Sequence, residues 1–311
     1  MTDFPESLPC GAGIQENGVC AYFGFLRVFF MSRVSIIGLG HIGMNILQTF
    51  AQAGVDTVGV ETDESSIARG LERSKSNLSS LVKKGKITPE RQEDILSKMK
   101  VSGDLQDIRA SQFVIEAIFE DIGLKKRLFK QVNEIVSKEC VILSNTSSLS
   151  ITEMASVVDA PGRFAGMHFF NPVPMMKLVE VVRGLHTSEN TIEATKKLAQ
   201  EIGKVAIICK DSPAFVVNRM LNALTQEAVL MLEEGIASAE DIDTGARLGL
   251  GHPMGPLELF DYLGAIHLLE KVLDTMAKEL DPKFRPPLLL KNMVRAGWWG
   301  KEYGRGFYQY N

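Results

Sequence analysis

The sequence predicts an α/β fold: a doubly wound, mostly parallel sheet carrying a helical hairpin insertion, followed by an all-α C-terminal domain. Three observations predict it. A strand, a glycine turn, a helix and a second strand follow one another from residue 34. Apolar strands then alternate with helical stretches as far as residue 208. After Lys210-Asp211-Ser212-Pro213 the strand pattern stops. Strands separated by helices lie side by side and parallel, because each crossover helix returns the chain to the same end of the sheet.

The elements follow in order. Residues 34–38 (VSIIG) form an apolar strand, the glycines of GLGHIG occupy 38–43, and a helical pattern runs to Gly54. Residues 55–60 (VDTVGV) make the second strand. Residues 64–99 are rich in Ser, Lys, Arg and Glu with regularly spaced Leu and Ile, and break at Gly85 and Thr88-Pro89. They read as a helical hairpin standing off the sheet, with Thr88 as the cap of its second helix and Pro89 at the first helical position. Strands resume at 112–117, 140–144, 163–169, 177–182 and 204–208, and helices fill 123–138, 150–157 and 189–202. Residues 214–297 are helical, with breaks at 249–253 and 286–287. The domains expected are 32–212 and 213–311, with residues 1–31 an extension outside the fold.

Composition bounds the function. The chain has 311 residues, 45% hydrophobic and 23% charged, with a formal net charge of -4. A nucleic-acid binder carries a basic stripe, which this balance does not favour. No run reaches the ~18 apolar residues of a membrane span. The early apolar stretch 20–31 is interrupted by Arg27 and preceded by Asp3, Glu6 and Glu16, the wrong charge for a secretory leader. Cys10, Cys20, Cys140 and Cys209 include no CxxC pair, and read as reduced thiols of a cytoplasmic protein rather than a metal site.

Two constellations carry chemistry. Gly38, Gly40 and Gly43 form GxGxxG between a strand and a helix, and Glu61 ends the next strand about 20 residues on. This is the Rossmann fingerprint: the residues Gly38, Leu39, Gly40, His41, Ile42 and Gly43 would cradle a pyrophosphate at the helix N-terminus, and Glu61 would accept from both ribose hydroxyls. A carboxylate there repels a 2′-phosphate, and no Arg or Lys follows before Arg69, so NAD is favoured over NADP. The other reading of Glu61 is a solvated strand end. The second constellation begins with Ser144-Asn145-Thr146-Ser147-Ser148 at a strand end, where the residues are equally those of a plain turn. His168 then closes an apolar strand, Asn171-Pro172-Val173-Pro174 forces a turn, and Glu180 sits inside the strand LVEVV. An ionised carboxylate in an apolar strand needs a partner. Across the turn it would hold one ring nitrogen of His168 and leave the other to act as a base. A core histidine and a strand glutamate paired with a lysine are the bland alternative. Asn218, early in the helical region, reads either as a helix-surface residue or as a donor to a substrate carbonyl.

With these residues in place, the chain resembles the 3-hydroxyacyl-CoA dehydrogenase family, bacterial 3-hydroxybutyryl-CoA dehydrogenases included. The stretches that carry the resemblance are IIGLGHIG, VIEAIFED, SNTSSLSIT, RFAGMHFFNPVPMMKLVEVV, DSPAFVVNR, DIDTGARLGLGHPMGPLELFDYLG and GRGFYQY, covering nearly all of residues 32–311. The resemblance implies NAD-dependent oxidation of an L-3-hydroxyacyl-CoA, and a homodimer formed through the C-terminal helices. It implies His168 as base, Glu180 as its orienting partner, and Ser147 and Asn218 on the substrate. Asn171 would lie at the nicotinamide side, Glu120 and Lys125 would contact NAD, and Lys84 would meet the CoA moiety. Three positions depart from the family pattern: Glu61 stands where Asp is usual, Ala214 where Gly is common, and Glu302 where an NAD-contacting lysine falls, with Lys301 beside it. A dehydrogenase of free hydroxy or sugar acids, of the lambda-crystallin type, and a non-catalytic dinucleotide-binding protein are the rival readings. A module of a larger fatty-oxidation complex is a third, against which the missing hydratase segment suggests a stand-alone enzyme.

Overall fold

In the computed structural model, which describes residues 33–310, β1 (Arg33–Ile37) lies mid-sheet with Val34 to Ile37 buried. A strand covered on both faces needs consecutive apolar residues, which VSII largely supplies. After α1 (His41–Ala53), β2 (Asp56–Val60) returns parallel to β1, with Ile37 opposite Val60. The hairpin is α2 (Glu64–Lys83) and α3 (Pro89–Lys98). Thr88 caps α3 as expected, its hydroxyl accepting from the Arg91 amide at 3.2 Å. The hairpin does not stand off: it packs on α1, with Gly70 against Met44 and with Leu78 and Ile95 buried in one core. It also ends in a strand absent from the sequence reading, β3 (Met99–Ser102), parallel to β2. Four residues with Lys100 among them show no apolar run; pairing with β2 makes the strand.

The alternation continues through β4 (Phe113–Glu116), α4 (Ile122–Ile135), β5 (Val141–Ser144), α5 (Ile151–Ala155) and β6 (Phe164–Phe169), each strand parallel to its neighbour. β7 (Leu178–Arg183) then reverses and pairs antiparallel with β6, which sets His168 directly opposite Glu180. After α6 (Glu189–Glu201), β8 (Val205–Lys210) closes the sheet parallel to β7, giving the order β3-β2-β1-β4-β5-β6-β7-β8. The chain leaves β1 toward β2 on one side and later toward β4 on the other, so a crevice opens beyond the carboxyl ends of these strands. Phe50 and Leu198 anchor the core on one face of the sheet; Phe129 and Met154 anchor the other.

The helical part comprises α7 (Val217–Glu233), α8 (Ala239–Gly249), α9 (Pro256–Tyr262), α10 (Ile266–Glu279) and α11 (Leu288–Arg295), packed around Leu257, Leu273 and Leu290. Two fully buried carboxylates tie it together. Asp243 accepts from the amides of Leu257 and Glu258 at 2.9 and 2.8 Å and from the Tyr308 hydroxyl at 2.6 Å. Asp261 accepts from the amides of Phe307 and Tyr308, both at 2.9 Å. The GRGFYQY tail is thereby a structural clasp. No helix of the described residues is long and apolar enough to cross a membrane.

Candidate active site

The glycine turn is built by close approach. Gly38 has φ +89°, and a Cβ there would lie 2.7 Å from the Ile118 side chain. A Cβ on Gly43 would fall 1.8 Å from the Gly38 carbonyl oxygen, so α1 packs against the turn only because Gly43 has none. Gly40, by contrast, faces open space. It is the N-cap of α1, and no side chain caps that helix or places an acid in its first turn. Its leading amides are therefore free for an anion.

The crevice beyond this turn has a volume of about 740 Å³ and is lined by Gly38, Gly40, His41, Ile42 and Glu61 among others. Glu61 Oε2 accepts from the Leu39 amide at 3.1 Å, and Oε1 from the Thr62 amide at 2.8 Å. The carboxylate is thus fixed at the lip of the turn that would hold a pyrophosphate. A crevice of this size with an uncapped helix N-terminus and an acid at the next strand end fits a dinucleotide.

Next to it, at the ends of β4 and β5, lies an ionic cluster in which Lys125 and Glu116 are buried and Glu120 reaches the surface. Lys125 reaches from α4 to Glu116 Oε1 at 2.8 Å and Glu120 Oε2 at 2.9 Å. Ser144 donates to Glu116 Oε2 at 2.6 Å. Burial pushes the Glu116 carboxyl above its ordinary range, and Lys125 opposes this without cancelling it. Burial also raises Glu120, but Lys125 and the Thr146 hydroxyl outweigh it and hold that carboxyl low. Glu120 Oε1 accepts from the Ser147 amide at 3.1 Å and the Ser148 hydroxyl at 3.2 Å, fixing the SNTSS loop. Three expected site residues, Glu120, Lys125 and Ser147, are therefore one unit. Ser144 was named only as part of the strand-end loop and Glu116 was not singled out, although Glu116 inside the apolar run VIEA carries the same signal that singled out Glu180.

His168 and Glu180 pair across β6 and β7, Nδ1 to Oε2, at 2.6 Å. Both are buried, at 6% and 0% exposure. An ionised carboxylate only accepts, so Nδ1 carries hydrogen, and it is Nε2 that offers a lone pair in the neutral ring. Burial alone would raise Glu180; the bond from His168 and two backbone amides outweigh it and hold the carboxyl below its usual range. Those amides belong to Val216 and Val217 and donate to Oε1 at 3.0 and 2.9 Å. They open α7, so the helix N-terminus faces the negative charge. Asn218 follows in the same first turn. The rings of Phe170 and Phe215 flank the imidazole, with centroids 4.6 and 5.9 Å away.

The chain entering α7 is strained. Ala214 and Phe215 have φ of +63° and +48°, the left-handed region. A non-glycine residue there costs roughly 1–2 kcal/mol. Glycine relieves the strain, but it loses more freedom on folding and gives up a buried methyl worth about 0.8 kcal/mol, since Ala214 is 2% exposed, so Ala214→Gly should leave stability within about 1 kcal/mol of wild type. A urea titration checks this, and a loss above about 2 kcal/mol would refute it.

The remaining expected residues lie apart. Asn171 is exposed in the turn after β6, and Lys84 is exposed at the C-cap of α2, lining neither the large crevice nor the pair. Lys301 lies over the Tyr310 ring at 5.8 Å, in the tail clasp, and Glu302 stands exposed beside it.

Residues 33–212 match the family described as 3-hydroxyacyl-CoA dehydrogenase, NAD binding domain, and residues 215–310 match its C-terminal domain. A probable 3-hydroxybutyryl-CoA dehydrogenase of Bacillus subtilis is 41% identical over 281 residues, 90% of this chain and 98% of that one. A mitochondrial hydroxyacyl-coenzyme A dehydrogenase of Rattus norvegicus is 39% identical, covering 90% and 91%. Among solved structures, that of (S)-3-hydroxybutyryl-CoA dehydrogenase from Ralstonia eutropha superposes with a TM-score of 0.88 at 42% identity, covering 90% of this chain and 99% of the other.

Proposed function

The chain belongs to the 3-hydroxyacyl-CoA dehydrogenase family, and on that premise we propose that it interconverts short-chain L-3-hydroxyacyl-CoA and 3-oxoacyl-CoA with NAD, His168 acting as general base. The observation that carries the proposal is the buried 2.6 Å His168–Glu180 pair, with His168 near the carboxyl end of β6 in the same sheet whose β1 and β2 ends line the crevice. When bound, NAD supplies the two-electron acceptor for the carbon bearing the hydroxyl. Nε2 of His168 takes the hydroxyl proton, and Glu180 stabilises the imidazolium that results. The Val216 and Val217 amides keep Glu180 ionised for that purpose. In the reverse direction the imidazolium returns its proton to the ketone oxygen.

Ser147 and Asn218 are assigned to the substrate oxygens, Asn171 to the nicotinamide side, and Lys84 to the CoA moiety. Glu120, Lys125 and Ser147 are also assigned to NAD, the glycine turn to its pyrophosphate and Glu61 to its ribose hydroxyls. The domains are read as 32–212 for the cofactor and 213–311 for substrate and dimer; residues 1–31 lie outside the described part. A homodimer through the helical part is supported by exposed Met220, Leu248, Leu250 and Leu288. Cytoplasmic residence is part of the same reading and agrees with free Cys140 and Cys209.

The test is to mix the protein with NADH and acetoacetyl-CoA, follow NADH absorbance, and repeat with free acetoacetate and with NADPH. Rapid loss with the thioester and NADH alone is expected. Turnover of the free acid instead would move the protein to the lambda-crystallin-type reading, and equal use of NADPH would remove the role given to Glu61.

A further inference from the structure

Besides the glycine turn and Glu61, the large crevice is walled by Gly103 and Leu105 beyond β3, by Phe119 beyond β4, and by one stripe of α4: Leu124, Arg127, Leu128 and Gln131. These four stand at i, i+3, i+4 and i+7, one face of the helix. Apart from the ring of His41, Arg127 is the one basic side chain lining the crevice. Its neighbours on α4 are engaged, Lys125 with Glu116 and Glu120 and Lys126 with Glu153. Among the described residues Arg127 has no carboxylate partner. Its guanidinium is folded back over the first turn of α4, where a Cβ on Gly123 would lie 3.5 Å from Nη1 and 3.3 Å from Asp121 Oδ1, so the N-cap carboxylate is near it without forming an ion pair.

Resting on the NAD reading above, we propose that Arg127 and Gln131 form the base-recognition end of the crevice, the Arg127 guanidinium stacking on the adenine face and the Gln131 amide reading its edge. The chemistry is complementary. Leucines make a flat apolar slot for a purine. A planar guanidinium stacks on an aromatic face, whereas an ammonium does so poorly. A primary amide donates and accepts together, matching the adjacent N6 donor and N1 acceptor of adenine. An unpaired arginine also suits a 2′-phosphate, but Glu61 in the same crevice opposes a second anion there.

Fluorescence titration with NADH, with deamino-NADH and with reduced nicotinamide mononucleotide separates these roles. Arg127→Leu should weaken NADH binding about tenfold and leave the mononucleotide unaffected. Arg127→Lys should recover little of the loss; deamino-NADH should bind the wild type about as well as NADH, the Gln131 amide turning over to match its reversed donor and acceptor, and Gln131→Leu should weaken both dinucleotides but not the mononucleotide. Arg127 is exposed, so both of its variants should unfold at the wild-type temperature. Unchanged NADH affinity in Arg127→Leu, an equal loss for the mononucleotide, or full recovery by Lys with NADPH bound as well as NADH would each overturn the assignment. A protein that binds NADH through Arg127 yet turns over no thioester would strike only the function proposed above.

Discussion

His168→Gln should lower kcat by a factor of about 10² to 10⁴, the usual worth of a positioned base, while NADH affinity stays within about twofold of wild type. Glutamine is chosen because its amide can donate to Glu180 Oε2 as Nδ1 does now, so the buried carboxylate keeps a partner. What is lost is the atom that takes the proton. The glycine turn and Glu61 lie in a separate crevice that His168 does not line, so cofactor binding should persist. Steady-state turnover of 3-hydroxybutyryl-CoA beside an NADH titration makes the measurement. A variant keeping half its activity would mean that another group is the base. A variant losing turnover and NADH affinity together would mean that the substitution had disturbed the fold.

Lys125→Met should cost about 3–5 kcal/mol of stability, the usual result of leaving a buried charge without its partner. Lys125 is 1% exposed and Glu116 fully buried; with the ammonium gone, Glu116 keeps only the Ser144 hydroxyl and the Ile118 amide. The sign of the pH dependence follows. The folded-state pKa of Glu116 is already raised by burial, and losing Lys125 raises it further. The folded state then binds a proton that the unfolded state has released, so stability falls as pH rises above the ordinary carboxylate range. The deficit of the variant should therefore be greatest at neutral pH and shrink as pH falls toward 5. Urea titrations at the two pH values test it, and a deficit below about 1 kcal/mol at pH 7 would show that the pair is not coupled as its burial requires. Adding Glu116→Gln should restore part of the loss, because a neutral amide removes the orphaned charge. NADH affinity should also fall, since Lys125 helps to position Glu120, whose other oxygen holds the Ser147 amide.

The same physics decided which residues were legible in advance. Gly38, Gly40, Gly43 and Glu61 were, because the turn, the uncapped helix start and the next strand end are all local in sequence. Thr88 and Pro89 were, because a cap is a bond between residues three apart. Glu180 stood out as a charge in an apolar strand, and Glu116 carried the same mark unnoticed. β3 left no mark, because its strand character comes from β2. Lys84, Asn171 and Asn218 were named from the family pattern; the fold sets Asn218 beside Glu180 and leaves Lys84 exposed at the far end of α2.

By itself the sequence determined the order of strands and helices, the glycine turn with its acid, and a histidine and a glutamate in neighbouring apolar strands. These follow from periodicity, turn chemistry and the cost of a buried charge, which act over a few residues. Only the tertiary structure decided that His168 stands opposite Glu180. That depends on the antiparallel register of β6 and β7, where a slip of one residue would turn the side chains to opposite faces. It alone decided that the other oxygen of Glu180 meets the first amides of α7, 36 and 37 residues on, across a strained Ala214–Phe215 junction. It alone turned Lys125 from a helix residue into the buried cation between two carboxylates. Backbone amides carry no mark in a sequence, and whether a charge is buried depends on what the rest of the chain packs against it.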